Sequence, residues 1–222
     1  MRTTSLTGSW TRCSSRVIVP CVRVVRTASE GEVVAAFLRA ELDSARWGER
    51  LLAFLRQDGV DPAVVSNPDL GDPQELAYRE ALLDRHRGWL RRDGLFDGLP
   101  EHVDWSRAAL KPAEVLAIRY INWDWWLELS GGTRQPLDAA GRIRRNAIRD
   151  VTAEWHEPIA ARLKSPEPQP ELIAVALPND PRLVMVEGHL RLTAYALYPE
   201  YLPDELEIFL GTAEQMDRWT EF

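Results

Sequence analysis

The chain has 222 residues, 45% of them hydrophobic and 27% charged, with 34 acidic against 27 basic side chains and a formal charge of −7. That is an ordinary globular balance, with room for one large core or two small ones. No apolar run reaches the ~18–20 residues that span a bilayer, the longest candidate, Arg16 to Val25, being broken by Pro20 and Arg23, so an integral helical membrane protein is not expected.

Residues 1–26 hold five arginines, Arg2, Arg12, Arg16, Arg23 and Arg26, and no acid, which leaves 22 basic against 34 acidic residues and a net of −12 in the rest. Rich in Arg, Ser and Thr but without an apolar core before a small-residue cleavage site, this stretch reads as a disordered basic leader; a targeting segment or a functional basic arm is the alternative. Both cysteines, Cys13 and Cys21, lie in it. The body has no thiol, and a reducing cytoplasm is the expected setting. Its acidity also repels phosphate backbones, so nonspecific nucleic-acid binding is not expected. The basic run Arg142-Ile143-Arg144-Arg145 with Arg149 reads as a solvated helix face.

In chain order, Ser29-Glu30-Gly31-Glu32 has capping-box spacing and opens a helix over 30–42, and a second follows over 45–58, ending at Asp58-Gly59. Asp-Pro, Asn-Pro and Gly steps make 60–71 a connector. Asp72-Pro73-Gln74-Glu75 starts a third helix, which the pattern carries to about Arg92. Pro112 opens another, running to Leu129, with Trp123-Asp124-Trp125-Trp126 near its end. Three indoles in four residues cannot share one helical face, so at least one must point to another element or a ligand. Residues 135–146 and 148–164 read as helices, the latter with a restart at Pro158, and Pro-rich 165–170 as a rigid spacer.

Beyond it the period changes. Residues 172–177 and 183–186 read as strands joined by Pro178-Asn179-Asp180-Pro181 in a hairpin, 205–210 as a third strand and 212–219 as a closing helix. The expected fold class is therefore α+β: a leader over 1–26, a helical region over 27–104, and an α+β region with a small mixed sheet over 105–222.

Between the second strand and a helix reaching Tyr198 lies Glu187-Gly188-His189-Leu190-Arg191-Leu192-Thr193-Ala194. Glycine lets backbone approach a ligand closely, and the first helical amides lack intrahelical partners, so this turn can bind an anion. Arg191 would neutralise it with a fork of hydrogen bonds, and the amides of Leu190 and Arg191 would face it. His189 would donate a hydrogen bond, more strongly when protonated, and Glu187 would hold Mg²⁺ or act as a base. The structural alternatives are an Arg191 salt bridge with Glu187 or Glu207 and a plain turn at Gly188 and His189.

Strand, turn, strand, the Gly-x-x-Arg-x-x-Ala segment and a later strand resemble the ParB/sulfiredoxin-like superfamily over about residues 158–211. The resemblance implies nucleotide phosphates at Gly188, Leu190, Arg191 and Thr193. His189 and Leu190 stand where ParB proteins carry Glu and often a second Arg, and no thiol precedes the His-x-Arg element, which sets sulfinic acid reduction aside. The acidic-Gly-His-x-Arg order is closer to ParB-like free-serine kinases, in which an acidic residue beside the phosphate loop assists transfer. A nucleoside triphosphate with Mg²⁺, or a phosphometabolite, is thus the implied ligand, and phosphoryl transfer or nucleotide hydrolysis the implied chemistry.

The alternative is a noncatalytic module whose Trp-rich helix and acidic surface dock a protein partner, the Gly188 turn being architectural. An open pocket gathering Glu187, His189 and Arg191 would favour the first; Arg191 buried against a carboxylate would favour the second. His86, His102 and His156 lack metal-ligand spacing, and Ser130-Gly131-Gly132-Thr133-Arg134 reads as a helix-ending loop or as a second wall of the site.

Overall fold

Ser29 accepts a hydrogen bond from Glu32 N, and Glu32 accepts one from Ser29 N at 2.8 Å, so the expected capping box starts α1 (Glu30–Leu42). The computed structural model describes residues 22–149, 151–165 and 169–222. Helix α2 (Gly48–Asp58) ends at Gly59, the connector contains one short helix, α3 (Ala63–Ser66), and Asp72 caps α4 (Pro73–Arg87) through Gln74 N at 2.8 Å. Helix α4 stops five residues before Arg92, where the sequence pattern carries it. Gly88 takes φ +85°, and a Cβ there would lie 1.9 Å from Asp93 Oδ1; the chain turns back on itself too tightly for any other residue.

The fold class is α+β, with a five-stranded mixed sheet. Its strands are β1 (Arg23–Thr27), β2 (Asp104–Leu110), β3 (Ile173–Ala176), β4 (Val184–Glu187) and β5 (Leu206–Thr212), in the order β1-β2-β5-β3-β4. The expected hairpin is present as antiparallel β3 and β4. β5 lies antiparallel to β2 and parallel to β3, with Ser106 opposite Leu210 and Ala174 opposite Leu210 on the two sides. β3 is buried at every position and β4 at three of four. Strands buried at successive positions are covered on both faces. β1 corrects the reading of residues 23–26 as part of a leader: they pair with Ala109, Ala108 and Arg107 of β2. The rest of that leader, residues 1–21, lies outside the described residues.

The helix expected over 112–129 is two, α5 (Pro112–Val115) and α6 (Asp124–Ser130), with extended chain between them. Arg119 N donates to Leu183 O and Met185 N to Arg119 O, both at 2.8 Å, so this stretch pairs with the β4 edge rather than with its own preceding turn. Three helices follow: α7 (Pro136–Arg144), α8 (Glu157–Leu163) and α9 (His189–Leu197). α8 keeps only the Pro158 restart of the expected 148–164 helix. The closing helix reduces to a single turn, Met216–Arg218. α9 packs on α7 and α8. Among the described residues no helix is long and apolar enough to cross a membrane.

Candidate functional site

Strand β4, Gly188 and α9 reproduce the strand, turn and helix read from the sequence. Gly188 has φ +108°, and a Cβ on it would meet Leu172 Cδ2 at 2.4 Å and Arg191 Nη2 at 3.3 Å. A left-handed non-glycine costs about 1–2 kcal/mol, and Leu172, 3% exposed, has little space to withdraw. Gly188→Ala is expected to destabilise the fold by about 2 kcal/mol, measured as a fall in urea midpoint; an unchanged midpoint would show that the turn relaxes.

The six residues named in advance do not meet at one point. Residues 189 and 191 project from α9 about 200° apart. On one face, Thr193 Oγ1 donates to His189 O at 2.8 Å and so accepts from the Tyr120 hydroxyl at 2.7 Å. The His189 ring stacks on Trp126 with centroids 4.8 Å apart, and Trp126 stacks on Tyr120 at 4.7 Å. Trp126 is thus the indole that turns away from the others, onto the site helix.

On the other face, Arg191 Nη1 donates to Pro170 O and to Glu171 O at 3.2 Å, and Nη2 to Glu187 Oε1 at 3.2 Å. Of the predicted set, the structure brings together Glu187 with Arg191, and His189 with Thr193. Leu190 is half-exposed between the two faces.

Burial sets the protonation of both titrating members. His189 is pushed down to about 3, first by desolvation and then by the charges of Arg87 and Arg191. Burial thus favours the neutral imidazole at physiological pH, which leaves the weaker, neutral donor of the two forms considered, and its Nε2 is buried without a partner. Glu187 is pushed up to about 7 by burial and by Glu41, against the pull of Arg191 and Arg87.

Arg87 and Glu41 come from α4 and α1. Glu41, 2% exposed, accepts from Arg87 Nε at 3.1 Å and Nη2 at 2.5 Å and lies 3.4 Å from His86 Nε2. The Arg87 guanidinium covers the Trp47 ring at 4.1 Å. The helical N-terminal half thus supplies a buried cation and anion that act on Glu187, and Arg87 also acts on His189. Sequence reasoning missed this pair, and its one visible signal was acidic Glu41 within the apolar run of α1.

Arg191 also lines a cleft of about 490 Å³ together with Arg107, Glu171, Tyr195, Tyr201 and Glu207. Arg107 bonds Glu171 at 3.1 Å and Glu207 at 3.3 Å. Arg134 does not wall this cleft; it donates to the carbonyls of Tyr120, Glu221 and Phe222. Gly131 ends α6 in the left-handed region, so the Ser130–Arg134 stretch is a helix-ending loop. Among the described residues no group of three or more His, Cys, Asp or Glu side chains could hold a metal ion. No protein-family model, curated protein or solved structure matches the chain.

Proposed function

We propose that the chain binds a nucleotide or a phosphorylated small molecule in the cleft beside the Gly188 turn. The observation that carries this is that Arg191, from the strand-glycine-helix segment, lines the same cleft as a second arginine and two tyrosines. The volume falls within the range of small-molecule sites, about 300–1,000 Å³. Arginine forks suit phosphate oxygens, tyrosine faces suit a base, and Glu171 and Glu207 can accept from ribose hydroxyls.

Glu187 stands near its midpoint at neutral pH. It does not line the cleft and meets it through Arg191; with Arg191 turned to a bound phosphate, the ionised carboxylate would accept the proton of an attacking hydroxyl in phosphoryl transfer or nucleotide hydrolysis. Alternatively, the same carboxylate would hold Mg²⁺ instead of acting as a base, with the ligand's own phosphates supplying most of the coordination, the usual division for that ion. The ParB/sulfiredoxin-like relationship belongs to the same proposal, supported by the Gly188–Ala194 segment in its strand-turn-helix context, and a cytoplasmic setting is proposed from a body without cysteine.

The test is calorimetric titration with ATP, CTP and GTP, with and without Mg²⁺, beside Arg191→Ala checked for folding by circular dichroism. Saturable binding weakened at least ~10-fold in the variant, the loss of one charge-assisted contact, is expected. Folded wild type that takes up none of the three at millimolar concentration ends the reading.

Two observations favour a second reading. Of Glu187, His189 and Arg191, only Arg191 lines the cleft. Arg191 is already held by Glu187 and two carbonyls, as in a turn that is architectural. The protein would then be a noncatalytic module docking a partner through its Trp-rich segment, and Arg191→Ala would lower stability without removing any nucleotide binding.

A further inference from the structure

Asn122, Trp123, Asp124 and Trp125 line a hollow of about 360 Å³ at the start of α6. Helix geometry turns Trp126 inward onto His189, and Trp125 is left 43% exposed. Trp123 precedes the helix in an extended conformation, with φ −94° and ψ 146°, so it projects apart from the helical residues after it.

Two features of this hollow distinguish it from an ordinary exposed aromatic. The first is which rings already carry a cation. Trp47 has the Arg46 and Arg87 guanidinium groups over it, at 4.6 and 4.1 Å, and Trp89 has Arg92 at 4.6 Å. Among the described residues no Lys or Arg of the chain lies over Trp123 or Trp125.

The second is the charge around them. Asp124 lies in the hollow itself and is exposed. Behind it the Trp123 side chain lies close to Glu221, a residue 9% exposed whose Oε2 is buried without a hydrogen-bond partner. Arg134 attracts that carboxylate through space but donates its hydrogen bonds to backbone carbonyls, Glu221 O included. The positive end of α6 opposes a cation, but a seven-residue helix beginning at Asp124 offers a weak one.

Indole faces are the best π partners for a cation, and carboxylates beside them select against anions and neutral groups. We infer that the Trp123–Trp125 hollow binds an organic ammonium group, carried by a free quaternary amine or by a trimethylated lysine side chain. The inference requires neither a ligand in the Arg191 cleft nor a docked protein of any other kind.

The experiment follows the indole N–H resonances of the full chain by NMR. The added probes are choline, its neutral isostere 3,3-dimethylbutan-1-ol, a trimethyllysine peptide and the same peptide unmodified. Choline is expected to shift the Trp123 and Trp125 resonances saturably, with the isostere ~3- to 10-fold weaker. Asp124→Asn and Trp125→Ala, both at exposed positions, should each weaken choline by a similar factor. A trimethyllysine peptide much tighter than choline identifies a peptide ligand, whereas equal affinities identify a free amine. No saturable shift at tens of millimolar choline, an isostere that binds equally, or an Asp124→Asn variant with wild-type affinity would each overturn the inference.

Discussion

Replacing Glu41 with alanine is expected to destabilise the protein by about 3–5 kcal/mol, the usual cost of removing one partner from a buried ion pair. The carboxylate is 2% exposed and takes two hydrogen bonds from Arg87, whose side chain is itself 13% exposed. Without it a guanidinium remains desolvated between Trp47 and the Glu187 turn. Glu41→Gln keeps an acceptor and should cost less, about 1–3 kcal/mol. Glu205→Ala breaks an ion pair with Arg23 in which both side chains are about half-exposed, and should cost under ~1 kcal/mol. Urea denaturation of the three variants checks this. A Glu41→Ala cost no greater than that of Glu205→Ala would mean that the pair contributes little to the fold.

The pH dependence of stability should have two limbs of opposite sign. His189 has a folded value near 3 against 6.5 ordinarily, so between these values the unfolded chain binds a proton that the fold does not. Stability from this residue is present above pH 6.5 and is lost as pH falls towards 3, by up to about 4–5 kcal/mol.

Glu187 runs the other way. The fold keeps its proton to about pH 7, whereas the ordinary value is 4.5. Its contribution is present below pH 4.5 and is lost as pH rises through 7, by about 3 kcal/mol at most. Where the windows overlap, the two partly cancel. Urea midpoints from pH 3.5 to 8 should therefore change when either is removed: Glu187→Gln flattens the fall towards pH 7, and His189→Phe, which preserves an aromatic ring against Trp126, flattens the loss on the acid side. Variants that both keep the wild-type profile would show that neither group is shifted by the fold.

Capping chemistry made the N-terminal helices legible from the sequence. Ser29 with Glu32, and Asp72 with Pro73, state a helix start within four residues, and the structure keeps both starts. The β3–β4 hairpin and the Gly188 turn were legible for the same reason: turn residues bound short apolar runs. What failed was decided by distant residues. Ile118–Ile121 is apolar enough for a helix, yet its backbone pairs with Leu183 and Met185, and nothing near Arg119 in the sequence reports that edge.

β1 is exposed at all five positions, so it shows no alternation to recognise. At the candidate site, Arg191 and Glu187 are four residues apart across the Gly188 turn, so their salt bridge is within reach of the sequence. Glu41 and Arg87 lie about a hundred or more residues earlier in the chain, and their effect on Glu187 and His189 comes only with tertiary packing.

The place of β5 in the sheet also bears on how the chain assembles. The last strand in the sequence occupies the middle position, with β2 on one side and the β3–β4 hairpin on the other. Until Leu206–Thr212 has been synthesised, β2 and β3 each present an open edge, and the pairing of Asp104 with Thr212 closes a loop of about a hundred residues. Closing so long a loop early is entropically costly. The helices, whose contacts are local, can form first, and the two partial sheets then join around one segment. A nascent chain stalled before Leu206 would expose both edges to other chains, as aggregation-prone intermediates do.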